Sequence, residues 1–218
     1  MVQWCYESTS KCKELDDILV ATDDQRIVDA VTAFGGKAVM TSPNHATGTD
    51  RIAEAIQRDT ADLILNVQGD EPLMSANVLS RLILTMRESG AEMGTAAVPF
   101  KETGRDPMDP NAVKVVVDKR GFALYFSRSI IPFIRGKAHE EWFDEYPFLK
   151  HLGIYAYRRE VLAEVTKLPQ SSLEKAESLE QLRWLQSGYR IRVGLTDVET
   201  VGIDTPEDLQ RAEAFLKG

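Results

Sequence analysis

Two short carboxylate turns are the residues in this chain best suited to chemistry. The first, Gly69-Asp70-Glu71-Pro72, ends the run Ala61-Asp62-Leu63-Ile64-Leu65-Asn66-Val67-Gln68. That run is mostly apolar and reads as a buried strand. In an open α/β sheet, ligands collect beyond the carboxyl ends of the strands. An Asp placed there can hold Mg²⁺ against phosphate oxygens. The same residues also read as a plain turn, with Asp70 capping the next helix. The second turn is Val201-Gly202-Ile203-Asp204-Thr205-Pro206-Glu207-Asp208. Thr205 suits a helix cap, with Pro206 at the first helical position and Asp208 completing something close to a capping box. Asp204 is then left over as a second strand-end carboxylate. Two such carboxylates are the arrangement that metal-assisted phosphoryl chemistry uses.

Further candidates lie along the chain. Thr47-Gly48-Thr49-Asp50-Arg51 is a small-residue turn at a helix start, where exposed N–H groups and an Arg suit an anionic or polar ring ligand; capping by Thr49 or Asp50 is the simpler alternative. Thr22-Asp23-Asp24 ends a strand in the same manner, with capping again the alternative. His151 and Tyr155 share strand parity and so face one side of a sheet. Glu174, Glu177, Glu180 and Gln181 form an acceptor-rich cluster that reads either as a hydroxyl-binding surface or as a solvated helix face. No local motif suggests a Ser/His/Asp triad or a Cys/His pair, and there is no G-x-G-x-x-G or Walker loop.

The elements that must position these residues alternate in the first half. The patterning predicts a helix over Val2 to Cys12, a strand over Ile18 to Ala21, a helix over Gln25 to Phe34 stopped by Gly35-Gly36, a strand over Lys37 to Thr41, and a helix from about Asp50 to Gln57. After the Leu63 strand come a helix from about Ala76 to Glu88 and a strand from Met93 to Val98. Such alternation implies a parallel sheet with helices on both faces. Residues 112–118 and 122–126 flank Lys119-Arg120-Gly121 as a hairpin, an antiparallel insertion in the parallel design. Ile130 to Tyr146 reads as a surface loop and candidate lid. A strand over His151 to Tyr157 returns to the sheet. Leu173 to Gln186 reads as one helix with the apolar stripe Leu173, Ala176, Leu179, Leu182 and Leu185. A strand over Arg190 to Leu195 and a helix over Pro206 to Leu216 close the domain.

Composition narrows the function classes. The 218 residues suit a single domain over 1–218, with 111–157 as a β-rich subdomain inside it. A hydrophobic content of 43% is enough for a core, and the net charge of −8 disfavours nucleic acid as a partner. An acidic protein that handles phosphates needs a cation in its site. Cys5 and Cys12 form neither a disulfide framework nor a zinc cluster. No apolar run is long enough to span a membrane and no signal peptide is recognisable, so a cytoplasmic location is expected.

Taken together, ATDD at 21–24, TGTDRIAEA at 47–55, NVQGDEPL at 66–73, NAVKVVVD at 111–118, GFALYFSRSIIP at 121–132, KHLGIYAYR at 150–158, SLEQLRWL at 178–185 and VGIDTPEDL at 201–209 resemble the CMP-Kdo synthetases, cytidylyltransferases that activate the sugar acid Kdo. These segments run in the family's order and cover nearly the whole chain. The resemblance implies attack of the anomeric hydroxyl of Kdo on the α-phosphorus of CTP, giving CMP-Kdo and pyrophosphate for lipopolysaccharide biosynthesis. It implies an α/β fold: a mostly parallel, Rossmann-like nucleotide-sugar-transferase sheet with helices on both faces and an inserted antiparallel β element that builds a homodimer. Carried over by motif, Asp70 and Asp204 would hold Mg²⁺ as the catalytic pair. Thr22, Asp23, Thr47, Gly48 and Arg51 would bind CTP. Gln68, Arg128, His151, Tyr155, Glu180 and Gln181 would surround the sugar acid, with the Arg128 fork meeting its carboxylate.

One departure accompanies the resemblance. The family opens with a strand and a loop of the form P-A-R-x-x-S-x-R-x-P-G-K that grips the triphosphate, and Met1-Val2-Gln3-Trp4 matches the helix after it. The expectation is a natural protein longer by roughly 25–30 residues, the length of a strand and its loop. The competing readings are a cytidylyltransferase for another sugar acid, amino-Kdo or sialic acid, and a non-catalytic dimeric remnant. An NAD-binding dehydrogenase is disfavoured by the lack of a glycine fingerprint.

Overall fold

Residues 1–199 are described by the computed structural model, and they form two compact units, the first over 1–80 and the second over 81–199. The expected strand and helix around Asp204 and over Pro206 to Leu216 lie outside the described residues.

The first unit opens with α1 (Val2–Thr9). It stops short of Cys12 because Ser10 donates its hydroxyl to the Glu7 carbonyl at 2.8 Å. Such a bond offers the backbone an alternative to continuing the helix. β1 (Val20–Thr22) begins two residues later than expected, since its parallel partner β2 (Ala38–Met40) meets it only from Val20↔Ala38 onward. Between them α2 (Gln25–Ala33) is capped by Asp24, whose carboxylate accepts from Arg26 N at 2.9 Å. It ends at Phe34 ahead of Gly35, whose φ of +82° favours glycine. α3 (Gly48–Ala55) is capped by Thr47, not by Thr49 or Asp50; its hydroxyl accepts from Asp50 N at 3.2 Å. β3 (Leu63–Asn66) buries Ile64 and Asn66 in alternation and leads to the Asp70 turn. α4 (Ala76–Ser89) carries the chain on past Ser80.

The second unit is a mixed sheet. Its strands are β4 (Met93–Pro99), β5 (Lys114–Val117), β6 (Ala123–Ser127), then, after the short α5 (Trp142–Glu145), β7 (Leu149–Arg158), and finally β8 (Ile191–Leu195). The order is β6-β5-β7-β4-β8. β4 runs parallel to β8 and antiparallel to β7, while β5 is antiparallel to both β6 and β7. The expected hairpin is therefore present and extends the sheet through β7. Its turn uses Gly121 at φ +76°.

Three expectations need correction here. The segment Ile130 to Tyr146 is more than a surface loop. Trp142, 2% exposed, packs with Phe100, Ala112 and Phe148 into a satellite core, and Ile130, Ile134 and Tyr146 lie against it. A helix not foreseen, α6 (Arg159–Val165), follows β7 and buries Val161, Leu162 and Val165. The expected helix over Leu173 to Gln186 is two helices, α7 (Ser172–Glu177) and α8 (Gln181–Gln186). They are separated by Ser178 in the left-handed conformation, φ 52° and ψ 48°. The stripe fails with it: Ala176 is exposed, whereas Glu174 and Arg183 are buried.

Candidate functional site

In the first unit the residues expected to meet CTP cluster at the ends of β1 and β2 and the start of α3. Asp24 takes the capping role, which leaves Asp23 for Arg51; their ion pair is 3.0 Å. Arg51 also donates to Thr41 Oγ1 at 2.7 Å and to the Ser42 carbonyl at 3.4 Å. The guanidinium is thus fixed across two loops, those after β1 and β2. Thr22 is buried and its hydroxyl accepts from Asp24 N at 3.2 Å. A Cβ on Gly48 would lie 4.0 Å from Gln68 Oε1, so Gly48 and Gln68 are neighbours. Gln68 in turn reaches Asn66 Oδ1 at 3.5 Å.

Asp70 sits on a turn closed by the Glu71 N–H to the Gln68 carbonyl at 3.2 Å. α1 pins the turn from outside. The Cys5 thiol donates to the Gly69 carbonyl at 3.0 Å and the Ser8 hydroxyl to the Pro72 carbonyl at 3.0 Å. Burial pushes the Cys5 thiol up to about 11, so it remains a protonated donor at neutral pH. The Asp70 carboxylate is exposed and has no hydrogen bond or ion pair among the described residues. A hard-oxygen donor held out by a pinned turn suits Mg²⁺. Among the described residues no group of three or more His, Cys, Asp or Glu side chains gathers as a metal centre. Asp204 lies outside the described residues.

In the second unit, a register shift sets the local geometry. β4 pairs Thr95 with Tyr155 but its next residue, Ala96, with Leu152. Gly153 and Ile154 therefore bulge out of the ladder. A bulge of two residues keeps strand parity, so His151 and Tyr155 stay on one face as expected. Four residues of regular strand would separate them by about 13 Å. Instead their ring centroids are 5.5 Å apart. Bulges are found beside binding and active sites because they re-aim side chains in this way.

Thr95, wholly buried, fills the bulge. Its hydroxyl lies 2.6 Å from the Ile154 carbonyl, 3.2 Å from the Leu152 carbonyl and 2.9 Å from His151 Nε2. The hydroxyl donates to these carbonyls, an arrangement that suits a ring donating from Nε2 and leaving Nδ1 as its acceptor. Burial, with the nearby Lys150 charge, holds His151 down to about 3. The ring is neutral at physiological pH and packs edge-on against Phe126. Burial likewise drives the Tyr155 phenol well above its ordinary value, with Tyr157 and Glu180 adding to the effect. Tyr155 is 8% exposed, and its hydroxyl has no hydrogen-bond partner among the described residues.

The other sugar-side candidates are tied into the scaffold. Arg128 donates to the Glu177 carbonyl at 2.8 Å, to the Pro110 carbonyl at 3.1 Å and to the Ser178 carbonyl at 3.5 Å. It thereby braces the α7–α8 break. Glu177 accepts from Ser127 Oγ at 2.7 Å and from Arg128 N at 2.9 Å. Glu174 pairs with Arg183 at 3.4 Å and closes the α7 capping box with Ser171. Glu180 pairs with Arg183 at 2.5 Å, and Gln181 beside it is buried. Glu174 and Glu177 are thus structural acceptors, while Glu180 is presented by Arg183. Sequence reasoning did not find Arg183 or Thr95. Nor did it find Lys114, whose buried ammonium donates to the carbonyls of Asp109, Ala112 and Arg128 at 2.9, 2.8 and 2.6 Å. No polarity pattern marks a buried Thr in an apolar strand. Arg183 and Lys114 carried only the weak signal of a charge interrupting an apolar stretch.

Comparison with known proteins follows the same lines. The profile of a family described as cytidylyltransferase matches residues 1–191. The chain is 50% identical over 221 residues to a 3-deoxy-manno-octulosonate cytidylyltransferase of Parabacteroides distasonis, an alignment covering 99% of this chain and 87% of the relative. It is 51% identical over 223 residues to the enzyme of the same description from Bacteroides thetaiotaomicron, covering 100% of this chain and 88% of that one. A solved CMP:2-keto-3-deoxy-manno-octonic acid synthetase complexed with CTP superposes with a TM-score of 0.90 at 40% identity, over 99% of this chain and 87% of that chain. A 4-diphosphocytidyl-2C-methyl-D-erythritol synthase from Anaerococcus prevotii shares the fold, with a TM-score of 0.63 at 15% identity over 100% of this chain and 89% of that one.

Proposed function

The chain belongs to the cytidylyltransferase family, and from that premise we propose that it joins CTP to 3-deoxy-manno-octulosonate (Kdo), giving CMP-Kdo and pyrophosphate for lipopolysaccharide biosynthesis. The anomeric hydroxyl of Kdo attacks the α-phosphorus of CTP and pyrophosphate leaves. The observation that carries the sugar side is the buried pair on β7: a neutral His151, hydrogen-bonded through Nε2 to Thr95, beside a Tyr155 hydroxyl that has no hydrogen-bond partner among the described residues. An unpaired buried hydroxyl is costly, and a hydroxyl-rich ligand would satisfy it.

The residues divide the work. Asp23 holds Arg51 rigid, and Arg51 with Thr47 and Gly48 recognises the cytosine ring. His151, Tyr155, Glu180 and Gln181 take the sugar hydroxyls. Arg128 attends the carboxylate from its place at the α7–α8 break. His151 binds rather than abstracts a proton, since its conjugate acid is far too strong for a base near neutral pH. Mg²⁺, held by Asp70 and Asp204, would supply positive charge where phosphate oxygens and the attacking hydroxyl are brought together. Binding and orientation by fixed groups supply the rest, as in other phosphoryl transfers.

The enzyme works as a cytoplasmic homodimer in this reading. No helix among the described residues is long and apolar enough to cross a membrane. The hairpin offers Leu124, 62% exposed, as an apolar contact point. Pyrophosphate release measured with CTP, UTP and ATP against Kdo, amino-Kdo and sialic acid tests the assignment. Turnover confined to CTP and Kdo is expected, and preferred use of another acid would overturn the choice of substrate.

A further inference from the structure

We infer that Thr95 is a positioning residue for the sugar-acid site: by filling the β7 bulge it fixes the tautomer of His151 and holds that ring beside Tyr155. The inference rests on reading His151 and Tyr155 as sugar-binding groups. Its physical content lies in three contacts of one hydroxyl. Thr95 Oγ1 meets the carbonyls of Leu152 and Ile154 at 3.2 and 2.6 Å, the bulged stretch of β7. Those acceptors belong to buried residues, with Leu152 at 2% and Ile154 at 1% exposure, where an unpaired carbonyl is expensive. With its proton committed there, the hydroxyl can only accept from His151 Nε2 at 2.9 Å.

The consequence reaches the ligand. A neutral imidazole has one donor and one acceptor nitrogen, and the bond made by one decides the role of the other. With Nε2–H committed to Thr95, Nδ1 is an acceptor for a sugar hydroxyl. Without Thr95 Oγ1 the ring could adopt the other tautomer, which would present a donor at Nδ1 instead. The edge-on Phe126 ring, 4.9 Å away by centroid, restricts the imidazole plane but leaves the tautomer open. Thr95 also keeps the bulge itself, which brings the His151 and Tyr155 rings to 5.5 Å.

The test uses the full chain with Thr95→Val, Thr95→Cys and Thr95→Ser. Valine keeps the shape and removes the hydroxyl. Cysteine retains a donor for the bulge carbonyls but is a poor acceptor for Nε2–H, so it serves if the valine variant fails to fold. Serine restores the hydroxyl. ¹⁵N NMR of the imidazole, recorded without substrate, should show the Nε2–H tautomer in the wild type and in Thr95→Ser. That preference should be lost in Thr95→Val and Thr95→Cys. KM for Kdo should rise about tenfold in those two variants, the scale of one buried hydrogen bond, while KM for CTP stays unchanged. Retention of the Nε2–H tautomer in both Thr95→Val and Thr95→Cys would overturn the role of Thr95. A lost tautomer with unchanged KM for Kdo would overturn its link to the sugar. His151→Phe separates the two readings. If it leaves KM for Kdo unaltered, the sugar-site assignment fails and takes that link with it, whereas the substrate-free tautomer measurement still decides whether Thr95 positions the ring.

Discussion

Acid should destabilise this protein through His151. The ring is buried beneath Phe126 and Tyr155, and its conjugate acid is depressed from an ordinary 6.5 to about 3. The folded chain keeps His151 neutral, whereas the unfolded chain takes up a proton near 6.5. Between about pH 6.5 and 3 the unfolded state therefore binds more protons, and stability falls as pH falls through that window. Linkage from those two values gives a loss of about 2 kcal/mol between roughly pH 7.5 and 5. For a chain of this length that is about 4–8 °C in Tm. The perturbation is His151→Phe, which fills the same apolar space without a titrating group. Thermal melts of both proteins across this pH range isolate the term, because all other titrations cancel in the difference. The stability of the wild type relative to the variant should fall by about 2 kcal/mol as pH drops over this range. Identical pH dependence in the two proteins would refute the claim that burial keeps His151 neutral.

Other expectations follow from the same geometry. Asp70→Asn should lower turnover by at least ~100-fold while Tm barely moves, since an exposed strand-end carboxylate contributes charge, not packing; steady-state kinetics and calorimetry check both halves. Arg183→Met should cost about 3–5 kcal/mol by removing the cation beside the buried Glu174 carboxylate, and adding Glu174→Gln should restore most of it in urea melts. Light scattering should find a dimer at micromolar concentration, and Leu124→Asp should shift it toward monomer if the hairpin forms the interface.

Local signals served best where a single residue type dictates backbone shape. The Gly35 stop, the Asp118-to-Phe122 turn with Gly121 and the strand-end turn at Asp70 were all legible, because positive φ and abrupt breaks in apolar runs need nothing distant. The β7 pair was legible in parity but not in distance, since nothing local announces that Gly153 and Ile154 will bulge. The α7–α8 break was invisible for a related reason. Its periodicity reads as one helix, yet Arg128 grips the carbonyls of Glu177 and Ser178 from the end of β6. Arg183 meanwhile draws Glu174 and Glu180 inward. Tertiary partners overrode propensity there, and they turned Glu174 and Glu177, which resembled part of a sugar surface, into scaffold. α6 was missed because Arg158-Arg159-Glu160 masks the start of its short apolar face.

Direct observation of the product tests the central claim best. The chain incubated with CTP, Kdo and Mg²⁺ and followed by ³¹P NMR should lose the triphosphate resonances and gain pyrophosphate and a sugar-linked phosphodiester in equal amounts. Both should depend on Kdo, and neither should form at a comparable rate with sialic acid. Pyrophosphate without the phosphodiester, or no phosphodiester from a chain that binds both substrates, would contradict the account.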